Sequence, residues 1–357
     1  MINVTKTYLP PIEEYISCLH KIWESGWVTN HGAMVQKLET ELAEFLDVRH
    51  VQFVSNGTIA LQIAIKALEL KGEIITTPFS YVATVGTILW ENCEPVFTDI
   101  EKKTFCIDAD KIESVITKRT SAILATHVYG YPCDVDKIGG IAKKHNLKVI
   151  YDGAHAFGVK INNQSIFNFG DISTVSFHAT KLFHTIEGGA VITQSGDLNK
   201  KISLFKSFGH IGEEYLSTGI NGKNSEFHAA MGLCNLPYVA SIIKKRKELS
   251  ERYDTILSGV NLKFPEKPKN ILYNFAYYPV IFEDENTLMR IKDILAENKI
   301  FTRRYFFPSL NKLPYLKNYQ RCETAEDIAS RVLCLPLYPQ LTLEEADMIG
   351  RLIKHSM

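Results

Sequence analysis

The chain has 357 residues, 45% of them hydrophobic and 22% charged, enough apolar content for a large core and a second, smaller one. Lys+Arg and Asp+Glu each number 40, so no net field draws the protein to nucleic acid or to an anionic membrane. The seven cysteines are odd in number and lack Cys-x-x-Cys spacing, which argues against a disulfide framework or a metal site and suits buried reduced thiols.

No apolar run approaches the roughly 18–20 residues needed to cross a bilayer. The N-terminal stretch MINVTKTYLPPIEEY lacks the apolar core of an export signal, so the expectation is a cytoplasmic protein. From about residue 50, short β-branched runs alternate with amphipathic segments. The predicted strands are 50–54, 73–77, 94–98, 121–126, 147–151, 173–177 and 189–193; a helix over 58–68 separates the first two. Alternation of this kind predicts an α/β fold with a mostly parallel seven-stranded sheet between helices. Residues 237–258 form a long polar-faced helix, and an amphipathic helix over 343–355 ends the chain. The predicted division is a large domain over 1–240 and a smaller C-terminal α/β domain over 241–357.

In such sheets ligands gather at the carboxyl ends of the strands. Three groups of chemical interest fall there. Ser55-Asn56-Gly57-Thr58 joins a strand to a helix: Gly57 lets the backbone approach a ligand closely, Thr58 is placed to cap the helix, and the exposed N–H groups suit a phosphate. Taken alone it also reads as an ordinary strand–helix turn. Asp152, after the apolar run 149–151, is a carboxylate that needs a cationic partner or a proton if buried. By itself it reads equally as a helix cap, and His155 beside it as a core histidine. Lys181 lies in a loop bounded by Phe177 and Gly188-Gly189, between two apolar strands and between His178 and His184. A desolvated lysine is held toward the neutral form that attacks a carbonyl carbon. A phosphate cup, an acid for a cationic ring nitrogen and an imine-forming amine are together what pyridoxal 5'-phosphate requires.

At this point the chain resembles the DegT/DnrJ/EryC1/StrS sugar aminotransferases, which share the aspartate-aminotransferase (type I pyridoxal-phosphate) fold. The resemblance runs through Gly26-Trp27-Val28-Thr29-Asn30-His31-Gly32, Ser55 to Leu61, Thr77 to Thr84, His127-Val128-Tyr129-Gly130 and Tyr151 to His155. It continues through Ser176 to Lys181, Glu187-Gly188-Gly189, Gly219 to Glu226 and Leu333 to Leu337. It implies that Lys181 forms the Schiff base and shuttles the proton, and that Asp152 keeps the ring nitrogen protonated. It further implies that Tyr81 stacks on the ring and that Gly57, Thr58 and Ser176 bind the phosphate. Asn221 matches an asparagine that reaches the phosphate from a neighbouring subunit, which implies a homodimer with shared active sites. His155 stands where many relatives carry Gln, both able to bond near the ring hydroxyl, and Lys223 stands where arginine is common.

The resemblance also implies a substrate class: an amino group moves from L-glutamate to a nucleotide-linked keto-deoxysugar. The stretch from Thr180 to Gly189 looks most like enzymes that act at C4 of dTDP-4-keto-6-deoxy-D-glucose. Amination at C3, a UDP- or GDP-linked sugar, a dehydratase and a non-catalytic regulator are the alternatives. A dehydratase of this group carries histidine in place of the lysine, and no basic DNA-binding extension is visible. His184, Arg303, Arg304 and Tyr305 are candidates for holding the diphosphate or sugar, with Thr29 and Asn30 contributing across the dimer.

Overall fold

The computed structural model describes residues 1–267 and 269–357. All seven expected strands are present: β1 (His50–Val54), β2 (Glu73–Thr76), β3 (Glu94–Phe97), β4 (Thr120–Thr126), β5 (Lys148–Asp152), β6 (Ile172–Ser176) and β7 (Gly189–Thr193). They form one sheet in the order β1-β7-β6-β5-β4-β2-β3. Neighbours pair in parallel from β6 to β3, and β7 alone runs antiparallel, to both β1 and β6. Six strands therefore end at one edge of the sheet, where β7 begins with Gly189 opposite both Val54 and Ser176.

Both faces of the sheet are covered, so the strands carry continuous apolar runs instead of alternating ones. Successive residues point to opposite sides. Phe53, Ile75, Ile123 and Tyr151 enter one core, whereas Val54, Ile74, Leu124 and Ile150 enter the other. Helix α1 (Gly57–Ala67) follows β1 and buries Ala60, Leu61, Ala64 and Ile65 in the second core. Helix α2 (Val82–Trp90) follows β2.

The expected domain division near residue 240 falls at the start of α3 (Val239–Ile256). This helix begins in the first core with Val239 and Ile242 and ends in a third, C-terminal core with Leu249 and Tyr253. That third core also holds Val280, Leu288 and Ile349, the last from α4 (Leu343–Ser356), whose first turn is closed by a reciprocal Thr342–Glu345 capping box. The N-terminus departs from the expected division. Ile2 and Asn3 pair in parallel with Ile300 and Phe301, and Ile2 is buried in the C-terminal core. A two-residue strand is too short to leave a periodic trace in sequence.

Candidate active site

The sheet edge where six strands end is built residue by residue into a cup. Asn56, extended at φ −169°, turns β1 into α1, and its Oδ1 accepts the Ile59 N–H at 2.9 Å. The cap is thus Asn56, not Thr58 as expected. A cap must precede the helix, and Thr58 already has a helical place in its first turn. The N–H groups of Gly57 and Thr58 belong to that first turn, which no intrahelical carbonyl satisfies. Ser176, the last residue of β6, closes on Gly57 so tightly that a Cβ there would lie 2.9 Å from the Ser176 Cβ.

Asp152 ends β5 and is 6% exposed. Its Oδ1 accepts the Ala154 N–H at 3.0 Å and its Oδ2 lies 3.4 Å from the Thr84 hydroxyl. Burial raises the carboxyl above its ordinary value, against the opposing effects of the Ala154 N–H, the Lys181 charge and the Thr84 hydroxyl.

Lys181 projects from the β6–β7 connection. Phe177 N–H bonds Gly188 O at 2.8 Å, Thr185 N–H bonds Phe177 O at 2.9 Å and Lys181 N–H bonds His178 O at 2.8 Å. Phe183 anchors the loop in the core, stacked on Phe157 at 4.5 Å and edge-on to Phe177 at 5.0 Å. The N-terminal strap adds the Thr7 hydroxyl on Ala179 O at 3.1 Å. The loop is therefore long but fixed. Burial lowers the Lys181 amine below its ordinary value, and Arg303 adds to this against the pull of Tyr305, Asp152 and Tyr81.

His155 is fixed in one tautomer. Its Nδ1 accepts the Tyr129 N–H at 3.1 Å, so the ring proton sits on Nε2. The ring lies parallel to Phe306 at 5.5 Å, and burial holds it well below the usual histidine range, hence neutral.

These groups share one cavity of about 410 Å³. Gly57, Thr58, Tyr81, Asp152, His155, Ser176, Lys181 and Tyr305 all line it. A wider hollow of about 730 Å³ runs along the amino end of β1, away from these residues. Arg303 also lines the cavity, its guanidinium 4.5 Å from the centre of the Tyr305 ring, and carries a positive charge to its wall.

Other expected substrate contacts fall elsewhere. Arg304 turns away from its neighbour: it bonds Glu285 at 2.6 Å and Ser330 O at 2.8 Å, and covers Phe307. Adjacent side chains in an extended segment point to opposite sides, so only one arginine of the pair reaches the cavity. His184 is 1% exposed; its Nδ1 accepts the Ile186 N–H at 3.1 Å and its Nε2–H donates to Tyr8 O at 2.5 Å. Both ring nitrogens are used internally, and His184 is a brace for the loop, not a cavity residue. His178, the other histidine flanking Lys181, lines the cavity with Nε2 3.5 Å from Glu187. Thr29, Asn30 and Asn221 are exposed and lie outside this cavity, Asn221 accepting a bond from Lys223 at 2.8 Å. Sequence reasoning also passed over Asn56, Ser80, Thr126 and Glu187 as lining residues. The only signal for the hydroxyls was the polar spacing Ser80–Thr84 at the head of an otherwise apolar helix.

Among the described residues, a desolvated carboxylate with no directly bonded cation, a desolvated amine and a cup of N–H and hydroxyl donors share one cavity, and this set fits pyridoxal phosphate. Comparisons with known proteins agree. A dTDP-4-amino-4,6-dideoxy-D-glucose transaminase of Shigella dysenteriae is 43% identical, over 99% of this chain and 98% of its own. The structure of DesI, determined in the presence of its TDP-sugar product, superposes with a TM-score of 0.95 at 29% identity, over 99% of this chain and 92% of that one. NtdA from Bacillus subtilis, solved with bound PMP, gives 0.90 at 30% identity, over 97% and 81%. With that family's sequence model matching residues 12–354, the chain belongs to the DegT/DnrJ/EryC1/StrS aminotransferase family and is a pyridoxal-phosphate-dependent enzyme.

Proposed function

We propose that the enzyme moves an amino group from L-glutamate to C4 of dTDP-4-keto-6-deoxy-D-glucose, giving dTDP-4-amino-4,6-dideoxy-D-glucose. It does so as a cytoplasmic homodimer that supplies amino sugar for lipopolysaccharide O-antigen. The observation that carries the reading is the single cavity joining Lys181, Asp152 and the Gly57–Ser176 cup to Arg303. The identity to the Shigella dysenteriae transaminase favours the dTDP sugar and C4 over the alternatives. Asn221 and Thr29, exposed outside their own chain's cavity, are available to a neighbouring copy.

Pyridoxal phosphate, when bound, supplies an electron sink for charge developing on the carbon that carries the amine. The chain's own residues do the rest. Gly57 and Thr58 present N–H groups, and Ser176 a hydroxyl, to the phosphate. Asp152 holds the proton on the ring nitrogen, its oxygens oriented by Ala154 and Thr84. His155, through Nε2–H, and Tyr81, both lining the cavity, would help hold the cofactor ring. Lys181 Nζ, shifted toward its neutral form, accepts the substrate-carbon proton and returns it on the other side of the exchange. Arg303 pairs with the anionic part of whichever substrate occupies the mouth.

The deciding experiment is incubation of the holoenzyme with L-glutamate and dTDP-4-keto-6-deoxy-D-glucose, followed by NMR of the product. A 4-amino sugar with stoichiometric 2-oxoglutarate is expected. A 3-amino product, or amination only of UDP- or GDP-linked sugars, overturns the substrate assignment.

A further inference from the structure

Three buried hydroxyls stand behind Asp152. Ser80 Oγ lies 2.8 Å from Thr84 Oγ1 and 3.0 Å from Thr126 Oγ1, and Thr84 Oγ1 lies 3.4 Å from Asp152 Oδ2. Ser80 is 1% exposed, Thr84 0% and Thr126 2%, so the chain itself covers these contacts except where Ser80 and Thr126 border the cavity. Each hydroxyl has one proton to give. An ionised Asp152 can only accept, so Thr84 donates to it; Thr84 must then accept from Ser80, and Ser80 from Thr126. One proton order satisfies the whole row. In the reverse order, which a protonated Asp152 would start, the last proton falls on Thr126 Oγ1. That atom has no further hydrogen-bond acceptor among the described residues. The row is therefore asymmetric: it favours the carboxylate, and hydroxyls polarised in one direction strengthen the last bond.

We infer that Thr126, Ser80 and Thr84 form a directional hydroxyl relay that holds Asp152 as a carboxylate and so keeps the proton on the cofactor's ring nitrogen. The three are positioning residues: Thr84 acts on Asp152, and the other two act through Thr84. The relay opposes the burial that otherwise raises this carboxyl. Without it Asp152 becomes the stronger base, the proton passes from ring nitrogen to carboxylate, and the electron sink weakens. This inference rests on the assignment of Asp152 to the ring nitrogen of pyridoxal phosphate.

The test reconstitutes the enzyme with cofactor labelled with ¹⁵N in the ring and records its nitrogen NMR shift, alongside the cofactor dissociation constant and Tm. Thr84→Val keeps shape but removes the donor; Thr84→Ser restores it; Ser80→Ala and Thr126→Val break the row further back. The wild type is expected to show the shift of a protonated ring. Thr84→Val should move toward the neutral-pyridine value and lose about tenfold in kcat, the equivalent of about one pK unit. Thr84→Ser should behave as wild type, and Ser80→Ala and Thr126→Val should give progressively smaller shifts. An unchanged shift in folded Thr84→Val, or a larger effect from Thr126→Val than from Thr84→Val, overturns the relay. Should Thr84→Val not fold, an unchanged shift in both Ser80→Ala and Thr126→Val overturns it equally. A neutral ring in the wild type itself overturns the Asp152 assignment instead, so the two failures are distinct.

Discussion

Gly57 and Ser176 meet so closely that a methyl group on Gly57 would sit 2.9 Å from the Ser176 Cβ and 3.3 Å from its Oγ. The contact draws the N-terminal turn of α1 onto the end of β6, which places two kinds of hydrogen-bond donor, backbone N–H and hydroxyl, in one cup. Gly57→Ala should push these elements apart and raise the cofactor dissociation constant by about tenfold to a hundredfold, about 1.4 to 2.8 kcal/mol. Combining it with Ser176→Gly removes the clash but also the hydroxyl. The double variant should therefore recover Tm without recovering affinity, as read by equilibrium dialysis of the cofactor. Unchanged affinity in Gly57→Ala would show that the cup lies elsewhere.

Asp152 and Lys181 are shifted in opposite directions by the same desolvation. The sign for Asp152 is that of a carboxyl whose folded-state pKa lies above its unfolded value of 3.8. Between those two values the folded state holds the extra proton, so stability of the cofactor-free protein falls as pH rises through that window. At neutral pH the ionised group is a net cost until a cation arrives. Asp152→Asn should accordingly raise the Tm of the cofactor-free protein at pH 7 while cutting turnover by a hundredfold or more, about 3 kcal/mol of transition-state stabilisation. A variant that lowers Tm and turnover together would mark Asp152 as structural.

The strands were legible because the central ones are buried on both faces and bounded by turn residues, so their apolar runs stand out even where alternation is lost. The grouping of Gly57, Asp152 and Lys181 around one cavity was legible for a different reason: they sit at or just after strand ends, and topology alone brings those together. What the sequence concealed depends on side-chain direction. Nothing in a linear reading says that His184 turns inward to brace Ile186 while His178 faces the cavity, or that Arg303 and Arg304 point apart. The Ser80 and Thr126 hydroxyls were hidden more deeply, since they meet 46 positions apart in the numbering.

The divergence of the arginine pair gives a paired expectation. Arg303→Ala removes the cavity's guanidinium and should raise KM for an anionic substrate by about tenfold to a hundredfold with little change in Tm. Arg304→Ala instead breaks the bonds to Glu285 and Ser330 and uncovers Phe307. It should lower stability by about 1 kcal/mol and leave KM within about twofold. Steady-state kinetics and thermal melts on both variants decide the assignment, and equal KM effects would refute it.

His127 supplies a second pH signature, independent of the cavity. It is fully buried, stacks on Tyr151 at 4.8 Å, and its Nδ1 accepts the Cys133 N–H at 3.1 Å. Protonation would place two donors face to face, and burial lowers its pKa from 6.5 to about 3. Because the unfolded chain takes the proton first, this contribution is intact above the unfolded pKa and is lost as pH falls from 6.5 toward 3. At pH 5 the loss is about 2 kcal/mol. His127→Asn, which keeps an acceptor without the titration, should flatten that part of the urea-midpoint-versus-pH curve. An unchanged acid slope would place the titration on other histidines.

Asn221 provides the test of a shared site. It is exposed and lies outside the cavity of its own chain, held by Lys223 at 2.8 Å, so a role at the phosphate requires a second copy. Lys181→Ala and Asn221→Ala homodimers should each be severely impaired, the first also losing the visible absorption of the lysine-bound cofactor. Mixed after dissociation, half of the dimers carry one chain of each kind. In those, one cavity combines the intact Lys181 of one chain with the intact Asn221 of the other. Activity should return to about a quarter of the wild-type value, since one of two cavities works in half of the dimers. If Asn221 served its own chain, no mixed dimer would contain a complete site, and mixing would restore nothing.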